Sequence, residues 1–346
     1  MKAGSVLLLV LLASLSATVY AGRPIPLAIA CSWSLAVALL HLWMERTGKY
    51  SRARGYYFAV LAVLFLSNMH LAGPGRLFAP YCHVGMAGNL LHTAYNQYLG
   101  IANGAWLKYG ALSLGIGWLA VVLVNGGGFC SWICFFGGID DAFSRALPRP
   151  PVRLPGGRRW RVFQLASLVF FAFMSFHLME PVFCRLVCPF KSACVVQDAR
   201  HGPAIVAACL ALGVVLLAIL PALTGKRIFC SSVCPFGALP SLVDGINPHK
   251  ITARDSACTK CGICETVCPS FAIERDGDRF RVNRYCTRCL KCVESCPAGA
   301  LESTLFHKKR NGNLPLVSLA FGGALGVFYV PGGVRALVGV LGRLLP

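Results

Sequence analysis

The sequence predicts an all-α polytopic membrane protein with six or seven spans and a small α+β cysteine-rich module near the C-terminus. Composition is the first reason: 56% of the 346 residues are hydrophobic and only 13% are charged, whereas a soluble domain carries about 25% charged residues. The second reason is that several apolar stretches approach the roughly 20 residues needed to cross the hydrocarbon core. We place these spans at residues 4–21, 25–43, 56–73, 105–126, 162–180, 203–223 and 315–341.

The first and last apolar segments each have two interpretations. Lys2, the apolar run after it and the small residues around Ala21 are typical of a signal peptide with a cleavage site after residue 21. The alternative, which we favour, is a retained anchor. In the last segment, Pro331-Gly332-Gly333 leaves open a kinked or re-entrant course instead of a single crossing.

The net charge of +20 does not indicate a nucleic-acid-binding protein, because the basic residues lie largely in short loops between predicted spans. Lys and Arg in such loops mark the cytoplasmic side of a membrane. Under the assigned spans, three basic loops fall on one side, so we predict a multi-pass protein of the inner membrane with these loops in the cytoplasm. Their cations are Arg46, Lys49, Arg52 and Arg54; Arg145, Arg149, Arg153, Arg158, Arg159 and Arg161; and Lys226 and Arg227.

Two near-identical cysteine runs follow the sixth predicted span. They read Cys258-x2-Cys261-x2-Cys264-x3-Cys268-Pro269 and Cys286-x2-Cys289-x2-Cys292-x3-Cys296-Pro297. This spacing wraps a [4Fe-4S] cluster, and in two-cluster ferredoxins the fourth cysteine of each run binds the other cluster. One predicted site is therefore Cys258, Cys261, Cys264 and Cys296, and the other is Cys286, Cys289, Cys292 and Cys268.

Zinc is the alternative for these runs, because CxxC pairs also form zinc sites. Zinc needs only four ligands, however, and has no use for the third CxxC step or for the Cys-Pro ending. We therefore predict a two-cluster ferredoxin module over residues 248–305 on the cytoplasmic side, between a membrane domain at 1–247 and a C-terminal hydrophobic segment at 306–346. Residues 271–274 and 279–282 are predicted to form a small hairpin inside this module.

A shorter pattern, Phe-Cys-x3-Cys-x-Phe, occurs three times, each time after a predicted span. At this helical spacing both sulfurs of a copy lie on one face, and two thiolates cannot close a tetrahedral site, so each pair needs another. The first and third copies end the fourth and sixth spans and therefore face the same side. They predict a third metal centre at the cytoplasmic face from Cys130, Cys134, Cys230 and Cys234.

The middle copy lies one crossing away, on the opposite face. With two further cysteines predicted on that side it gives a second quartet, Cys82, Cys184, Cys188 and Cys194. Three interpretations stay open for this periplasmic set: a fourth metal centre, disulfide bonds or a redox-active dithiol, and inert thiols. Cys31 and Cys209 lie in mid-span and are predicted to be core residues.

Other cofactors have weaker signals. His70, His177 and His41 lie near span ends, and interfacial histidines explain them better than haem; no CxxCH attachment motif occurs. A quinone site would need polar groups in a cleft between spans. The candidates for a quinone site lie in one polar-aromatic segment, for which an amphipathic interfacial helix is the simpler interpretation. Glu180 and Asp198 lie nearby and are either proton acceptors or solvated charges. The quinone candidates are His83, Asn89, His92, Tyr95, Asn96 and Gln97.

The span-end Cys-x3-Cys-Pro motifs followed by a double ferredoxin resemble the NapH/NosR/CcoG-type membrane ferredoxins, over about residues 105–305. In that group, NapH-like members are thought to draw electrons from quinol for periplasmic reductases. NosR-like members support nitrous oxide reduction, and CcoG-like members are linked to copper handling. This sequence departs in three ways: Phe135 follows Cys134 where Pro is expected, a third motif lies on the opposite face, and no large flavin-binding domain is present.

The sequence thus predicts a membrane-bound iron-sulfur protein that passes electrons between a quinol pool or periplasmic redox partner and cytoplasmic clusters. Such a chain is expected to work with other subunits of a respiratory redox complex, as the electron-transfer subunit of a quinol dehydrogenase. Two alternatives stay open. One is a copper reductase or maturation factor, because soft thiolates select Cu(I). The other is a structural or redox-sensing subunit.

Overall fold

The computed structural model describes residues 3–71, 87–104, 110–154, 157–189, 203–277, 279–306, 308–309 and 313–344. Helices make up the membrane domain, and two small sheets form the cysteine-rich module. The helices of the membrane domain before the module are α1 (Ala3–Val19), α2 (Pro24–Thr47), α3 (Tyr50–Leu71), α4 (Leu90–Ala102), α5 (Gly110–Asn125), α6 (Gly128–Trp132), α7 (Phe135–Phe143), α8 (Arg158–His177), α9 (Val182–Leu186), α10 (Pro203–Thr224) and α11 (Pro235–Leu242). A π-helical turn, Phe229–Val233, precedes α11. The module contains β1 (His249–Ala253), α12 (Ile263–Val267), β2 (Ile273–Asp276), β3 (Arg279–Val282), α13 (Lys291–Ser295), β4 (Leu301–Leu305) and β5 (Lys308–Lys309), and α14 (Asn313–Leu344) follows it.

Each of the seven apolar segments predicted from the sequence coincides with a helix over most of its described residues. Four of these helices are long and apolar enough to cross a membrane: Pro24–Thr47, Arg159–His177, Pro203–Thr224 and Asn313–Gly342. The helix α1 is apolar but has 17 residues, and α3 begins six residues before the predicted span and includes Arg52 and Arg54. The chain is therefore mostly helical with four candidate spans, and the count of six or seven stays a prediction.

The last helix, α14, packs against α1, α2 and α3. Its small residues allow this close approach: a Cβ on Gly326 would lie 2.2 Å from Trp33 Nε1, and that nitrogen donates to Gly323 O at 3.0 Å. The helix also continues without interruption through Pro331. In the described part of the chain, α14 is thus a single long helix and not a re-entrant segment.

Two arginines that the sequence assigns to cytoplasmic loops, Arg54 and Arg227, are instead buried, and so is Arg288 of the module. Arg54, Arg227 and Arg288 are exposed to 1% or less. Arg54 lies in the first turns of α3, where Nη2 bonds both carboxylate oxygens of Asp141 at 2.8 Å and Nη1 donates to Ser131 O at 2.7 Å. A charge can be buried in this way only because it is paired and hydrogen-bonded. The ion pair therefore fastens α3 to α7 beside the first cysteine motif.

A strand near the start of the module pairs with a strand near its end. Strand β1 pairs antiparallel with β4, from His249 opposite Leu305 to Ala253 opposite Leu301, so the chain enters and leaves side by side. The predicted hairpin is confirmed: β2 pairs with β3, with Ile273 opposite Val282, although its first strand begins two residues later than predicted. Between these strands, α12 and α13 carry cysteines and pack against each other.

Candidate metal centres

All three Cys-x3-Cys copies adopt the same backbone turn. In each, the N–H of the second cysteine donates to the carbonyl of the phenylalanine that precedes the first cysteine: Cys134 to Phe129 at 3.1 Å, Cys188 to Phe183 at 3.1 Å, and Cys234 to Phe229 at 2.8 Å. This five-residue reach is wider than that of an α-helical turn. The repeat seen in the sequence is therefore also a structural repeat.

The first and third copies face each other across an approximate two-fold arrangement. Phe129 before the first pair contacts Phe236 after the third, with ring centroids 4.9 Å apart. The reciprocal contact, Phe136 with Phe229, has centroids 5.8 Å apart. The structure thus brings together the two copies that the predicted topology placed on one face.

The four cysteines of these copies, Cys130, Cys134, Cys230 and Cys234, are all buried and close to one another. Burial raises the pKa of Cys234 well above its usual value, and charge on Cys134 and Cys130 raises it further. Burial likewise raises the pKa of Cys130 to about 11, against the opposing effect of Arg227. A cationic metal core would hold these four buried sulfurs as thiolates, because metal binding requires the thiolate and supplies the compensating charge.

The second cysteine of each pair stands immediately before a helix. Cys134 (φ −72°, ψ 116°) precedes α7 and Cys234 (φ −68°, ψ 116°) precedes α11. In each case the N–H groups two and three residues further along hydrogen-bond the sulfur and lower the thiol pKa, in opposition to the larger effect of burial. Amide N–H groups and a helix N-terminus both favour an anionic sulfur.

Arg227 and Asp140 lie between the two cysteine pairs. Arg227 Nη1 donates to Ser131 Oγ at 2.8 Å, and its Nη2 donates to the Cys130 carbonyl and to Gly137 O. Asp140 accepts the N–H of Cys230 at 2.9 Å. Burial raises the pKa of Asp140 to about 7, while Arg227 opposes the rise. A buried arginine therefore ties the first motif to the third and adds positive charge beside four thiols.

In the module, four cysteines from two different runs line one small cavity: Cys268, Cys286, Cys289 and Cys292. Burial raises the pKa of Cys286 to about 12, and charge on Cys268 and on Cys289 contributes. The structure thus places Cys268 with the second run, as the ferredoxin spacing predicts.

The remaining cysteines of the module lie nearer the surface. Burial raises the pKa of Cys264, and charge on Cys258 and Cys261 adds to the increase, so these three thiols are neighbours. Cys261 is exposed, whereas Cys289 and Cys292 are buried. Cys296 lies at the end of α13, and its sulfur accepts the N–H of Ala300 at 3.3 Å. The equivalent bond in the other run joins Ala272 N to the Cys268 sulfur, also at 3.3 Å.

The site formed by the second cysteine run and the four-cysteine site of the membrane domain adjoin. One cavity is lined by Cys130 and Cys230 on one side and by Cys286 on the other. Trp132 Nε1, within the first motif, donates to Arg288 O at 3.2 Å, and Arg227 N donates to Pro269 O at 2.8 Å. The first motif thereby contacts the second run, and the third motif contacts the end of the first run.

Gly127 is required for this contact. A Cβ at this position would lie 2.2 Å from Cys286 O and 3.0 Å from Thr287 Cα, which are backbone atoms that cannot rotate away. We expect Gly127→Ala to displace the second run from the membrane domain and to lower the thermal stability of the holoprotein by about 1–3 kcal/mol. Differential scanning calorimetry in detergent tests this, with Gly117→Ala in α5 as the control, because nothing lies within 4 Å of that Cβ. Equal midpoints for the two variants would contradict the contact.

The predicted periplasmic quartet is only half described. Asn89 Nδ2 donates to the sulfur of Cys184 at 3.3 Å, and Ser175 Oγ donates to Asn89 Oδ1 at 2.8 Å. Cys188 is half-buried nearby. Cys82 and Cys194 lie outside the described residues, as do His83, Asp198 and the side chain of His70. All three interpretations of this cysteine set therefore remain open. Among the described cysteines no disulfide bond is present.

Several of the other predicted candidates have structural partners. His92 contacts Asn96 through Nε2 and Nδ2 at 3.0 Å on α4, Tyr95 packs against Phe176, and Glu180 pairs with Arg185. His41 is buried, with Nδ1 2.9 Å from Ser5 Oγ. Across the described ranges, no three His, Cys, Asp or Glu side chains are arranged to hold a metal ion. A [4Fe-4S] cluster does not need ligands that converge on a single ion, because each of its four ligands bonds a different iron.

Sequence reasoning missed the buried charges around the four-cysteine site. Arg227 was counted as a cytoplasmic loop cation, and Asp140 and Asp141 were not singled out. The available signal was their position: the two acids stand in an otherwise apolar stretch after the first motif, and Arg227 is three residues before Cys230. Ionisable residues among apolar ones are costly unless paired, which indicates a functional site.

Two family models match the chain. One, described as a 4Fe-4S binding domain, matches residues 107–155, 160–193 and 207–251, so that each match contains one Cys-x3-Cys copy. The other, a 4Fe-4S dicluster domain, matches residues 250–297, which contain both ferredoxin runs. The two models together cover all three turn repeats and the module.

Three curated relatives show similarity over about half of the chain. Regulatory protein NosR of Stutzerimonas stutzeri is 27% identical over 165 residues, 46% of this chain and 22% of the relative. Protein NirI of Paracoccus denitrificans is 28% identical over 176 residues, 49% of this chain and 24% of the relative. Putative electron transport protein YccM of Escherichia coli is 28% identical over 176 residues, 46% of each chain. The matched part thus spans less than half the length of these relatives. No solved structure matches the chain.

Proposed function

We propose that this chain, which belongs to the NapH/NosR-type family of membrane polyferredoxins, carries electrons along a row of three iron-sulfur clusters at the membrane surface. The first cluster is held by Cys258, Cys261, Cys264 and Cys296. The second is held by Cys286, Cys289, Cys292 and Cys268. The third is held by Cys130, Cys134, Cys230 and Cys234.

The residues at these sites fit the group. Backbone N–H donors reach the sulfurs of Cys268, Cys286 and Cys296 at 3.3–3.4 Å, and such bonds tune cluster potentials. When bound, each cluster supplies a centre that takes up and releases single electrons. The protein's contribution is to hold the thiolates, to bury them and to place Arg227 and Arg288 nearby, where positive charge favours the reduced state.

One observation carries the proposal: Cys130, Cys230 and Cys286 line the same cavity. A cluster on the membrane-domain cysteines would therefore stand across this one cavity from the second cluster. Exposure then gives the order of the row. Cys261 of the first site is exposed, while the cysteines of the third site are all buried, so a soluble carrier meets the first cluster and the membrane side meets the third.

We further propose that the module faces the cytoplasm and that the third cluster exchanges electrons with a quinol pool or a periplasmic redox partner, within a respiratory complex of the inner membrane. The predicted loop charges support this orientation. The relatives support the setting, since one is described as a putative electron transport protein.

Metal analysis of the anaerobically purified chain tests the proposal. We expect about twelve irons and about twelve sulfides per chain, without haem or stoichiometric copper. Reduction should give electron paramagnetic resonance signals from three interacting clusters, and a quinol analogue should reduce at least one of them. About eight irons would restrict the clusters to the module and overturn the third centre. Bound copper without reduction by quinol would favour the maturation-factor alternative.

A further inference from the structure

A broad basic cleft separates the membrane domain from the module. Its volume is about 1200 Å³, slightly above the roughly 300–1,000 Å³ of a small-molecule pocket. Its walls are the first turns of α3, the loop after α7, the end of α10 and the α12 edge of the module. Six cations and one carboxylate, Glu265, line it; the cations are Arg52, Arg145, Arg149, Arg153, Lys226 and Lys291.

The positive charge in this basic cleft is largely uncompensated. Lys226 Nζ donates to the carbonyls of Thr266 and Cys268 and not to a carboxylate. Arg145 does contact Asp141 at 2.9 Å, but that acid also neutralises Arg54. Arg145 and Lys291 both line the cleft, so like charges stand near each other in it. An anion in the cleft would relieve this repulsion.

The cleft opens at the level where two candidate spans end. Its wall includes Gly157, just before the span Arg159–His177, and Thr224, the last residue of the span Pro203–Thr224. Apolar side chains stand exposed among the cations: Tyr56 is 70% exposed, Leu147 41% and Val152 43%. Cationic and apolar groups at one membrane edge match a molecule with an anionic head and hydrocarbon tails.

We propose that the basic cleft binds an anionic phospholipid of the surrounding bilayer, with its phosphates among the arginines and lysines and its acyl chains along Tyr56, Leu147 and Val152. Basic pockets between spans on the cytoplasmic side bind lipid head groups of this kind, and six cations suit the two phosphates of cardiolipin best. A concave site with exposed apolar side chains favours a lipid over a soluble acidic protein. The bound lipid touches both walls and so fastens the module to the membrane domain. The inference does not depend on the function of the clusters.

Native mass spectrometry of the detergent-solubilised holoprotein tests the proposal, with cardiolipin, phosphatidylcholine and inorganic pyrophosphate as probes. The test variant is Arg149→Gln/Arg153→Gln, because both side chains are exposed and the fold does not depend on them. The control is Arg279→Gln/Arg281→Gln, which removes the same charge from exposed positions on the hairpin. Equal iron content in all three proteins verifies that they are folded.

We expect wild-type protein to retain cardiolipin in preference to phosphatidylcholine, and the test variant to bind cardiolipin roughly 30-fold more weakly at low salt. The control variant should bind it as the wild type does. Unchanged cardiolipin affinity in the test variant would overturn the proposal, as would pyrophosphate binding as tightly as cardiolipin. It would also fail if an acidic soluble ferredoxin bound the wild type and not the test variant while lipid binding stayed the same, because the cleft would then be a protein docking site.

Discussion

Replacing Cys230 and Cys234 by serine is expected to lower the iron content from about twelve to about eight per chain and to stop reduction of the module by quinol. The physical reason is that these two residues supply half of the ligands of the proposed third cluster, and two thiolates cannot hold a cubane. The module should keep both of its clusters, because its own eight cysteines are unchanged. Iron analysis and stopped-flow absorbance with a quinol analogue measure the two effects.

A matched control is available in the same chain. Cys31 and Cys209 are half-buried on the spans α2 and α10 and were predicted to be core residues. Cys31→Ser/Cys209→Ser should keep about twelve irons and the wild-type rate of quinol oxidation. Dithionite should reduce the two module clusters in both variants. If Cys230→Ser/Cys234→Ser retained full iron and full quinol activity, these cysteines would be packing residues and the electron path would have to lie elsewhere.

The sequence was most informative where a chemical requirement fixes local spacing. Three CxxC steps ending in Cys-Pro predicted the grouping of Cys268 with the second run, and the structure places it there. Counting spans predicted that the first and third Cys-x3-Cys copies lie on one face, and their phenylalanines pack against each other. Both inferences needed only spacing and the alternation of sides across a membrane.

The sequence was least informative where a residue's role depends on a distant partner. Arg54 and Asp141 are 87 positions apart, and Arg227 reaches the first motif across 97 positions. Counted by composition alone, these arginines are loop cations. Only the fold shows that they are desolvated and paired. The same holds for position 127. A glycine is needed there because the backbone of Cys286 lies against it, and not because of a local turn.

The number of spans could not be predicted for a related reason. Apolar length alone does not separate a helix in lipid from a helix buried in protein. The helix α3 illustrates this, because Arg54 and Phe58 on it are fully buried. The helix packs against α14 and α7, so its apolar face is largely covered by protein.

Removing the Arg227 guanidinium is expected to have the second large effect. Arg227→Met leaves the Ser131 hydroxyl and the carbonyls of Cys130 and Gly137 without their donor and removes the positive charge that stabilises the buried Asp140 carboxylate. Leaving buried acceptors without their donor costs about 1–3 kcal/mol, which thermal unfolding of the detergent-solubilised protein measures. Arg279→Met, on an exposed ion pair, is the control and should change stability by less than about 0.5 kcal/mol.

The proposed cluster gives this prediction a second readout. Losing a positive charge beside the four thiolates disfavours the added electron, so the midpoint potential of the third signal should fall in Arg227→Met, while the module signals stay in place. The double variant Arg227→Met/Asp140→Asn removes both charges, and asparagine can still accept the N–H of Cys230, so part of the stability and part of the potential should be recovered. Full recovery of both would mean that Arg227 acts only by neutralising Asp140. A fall in stability with no change in any cluster signal would separate Arg227 from the cluster and leave it as a purely structural link between the two motifs.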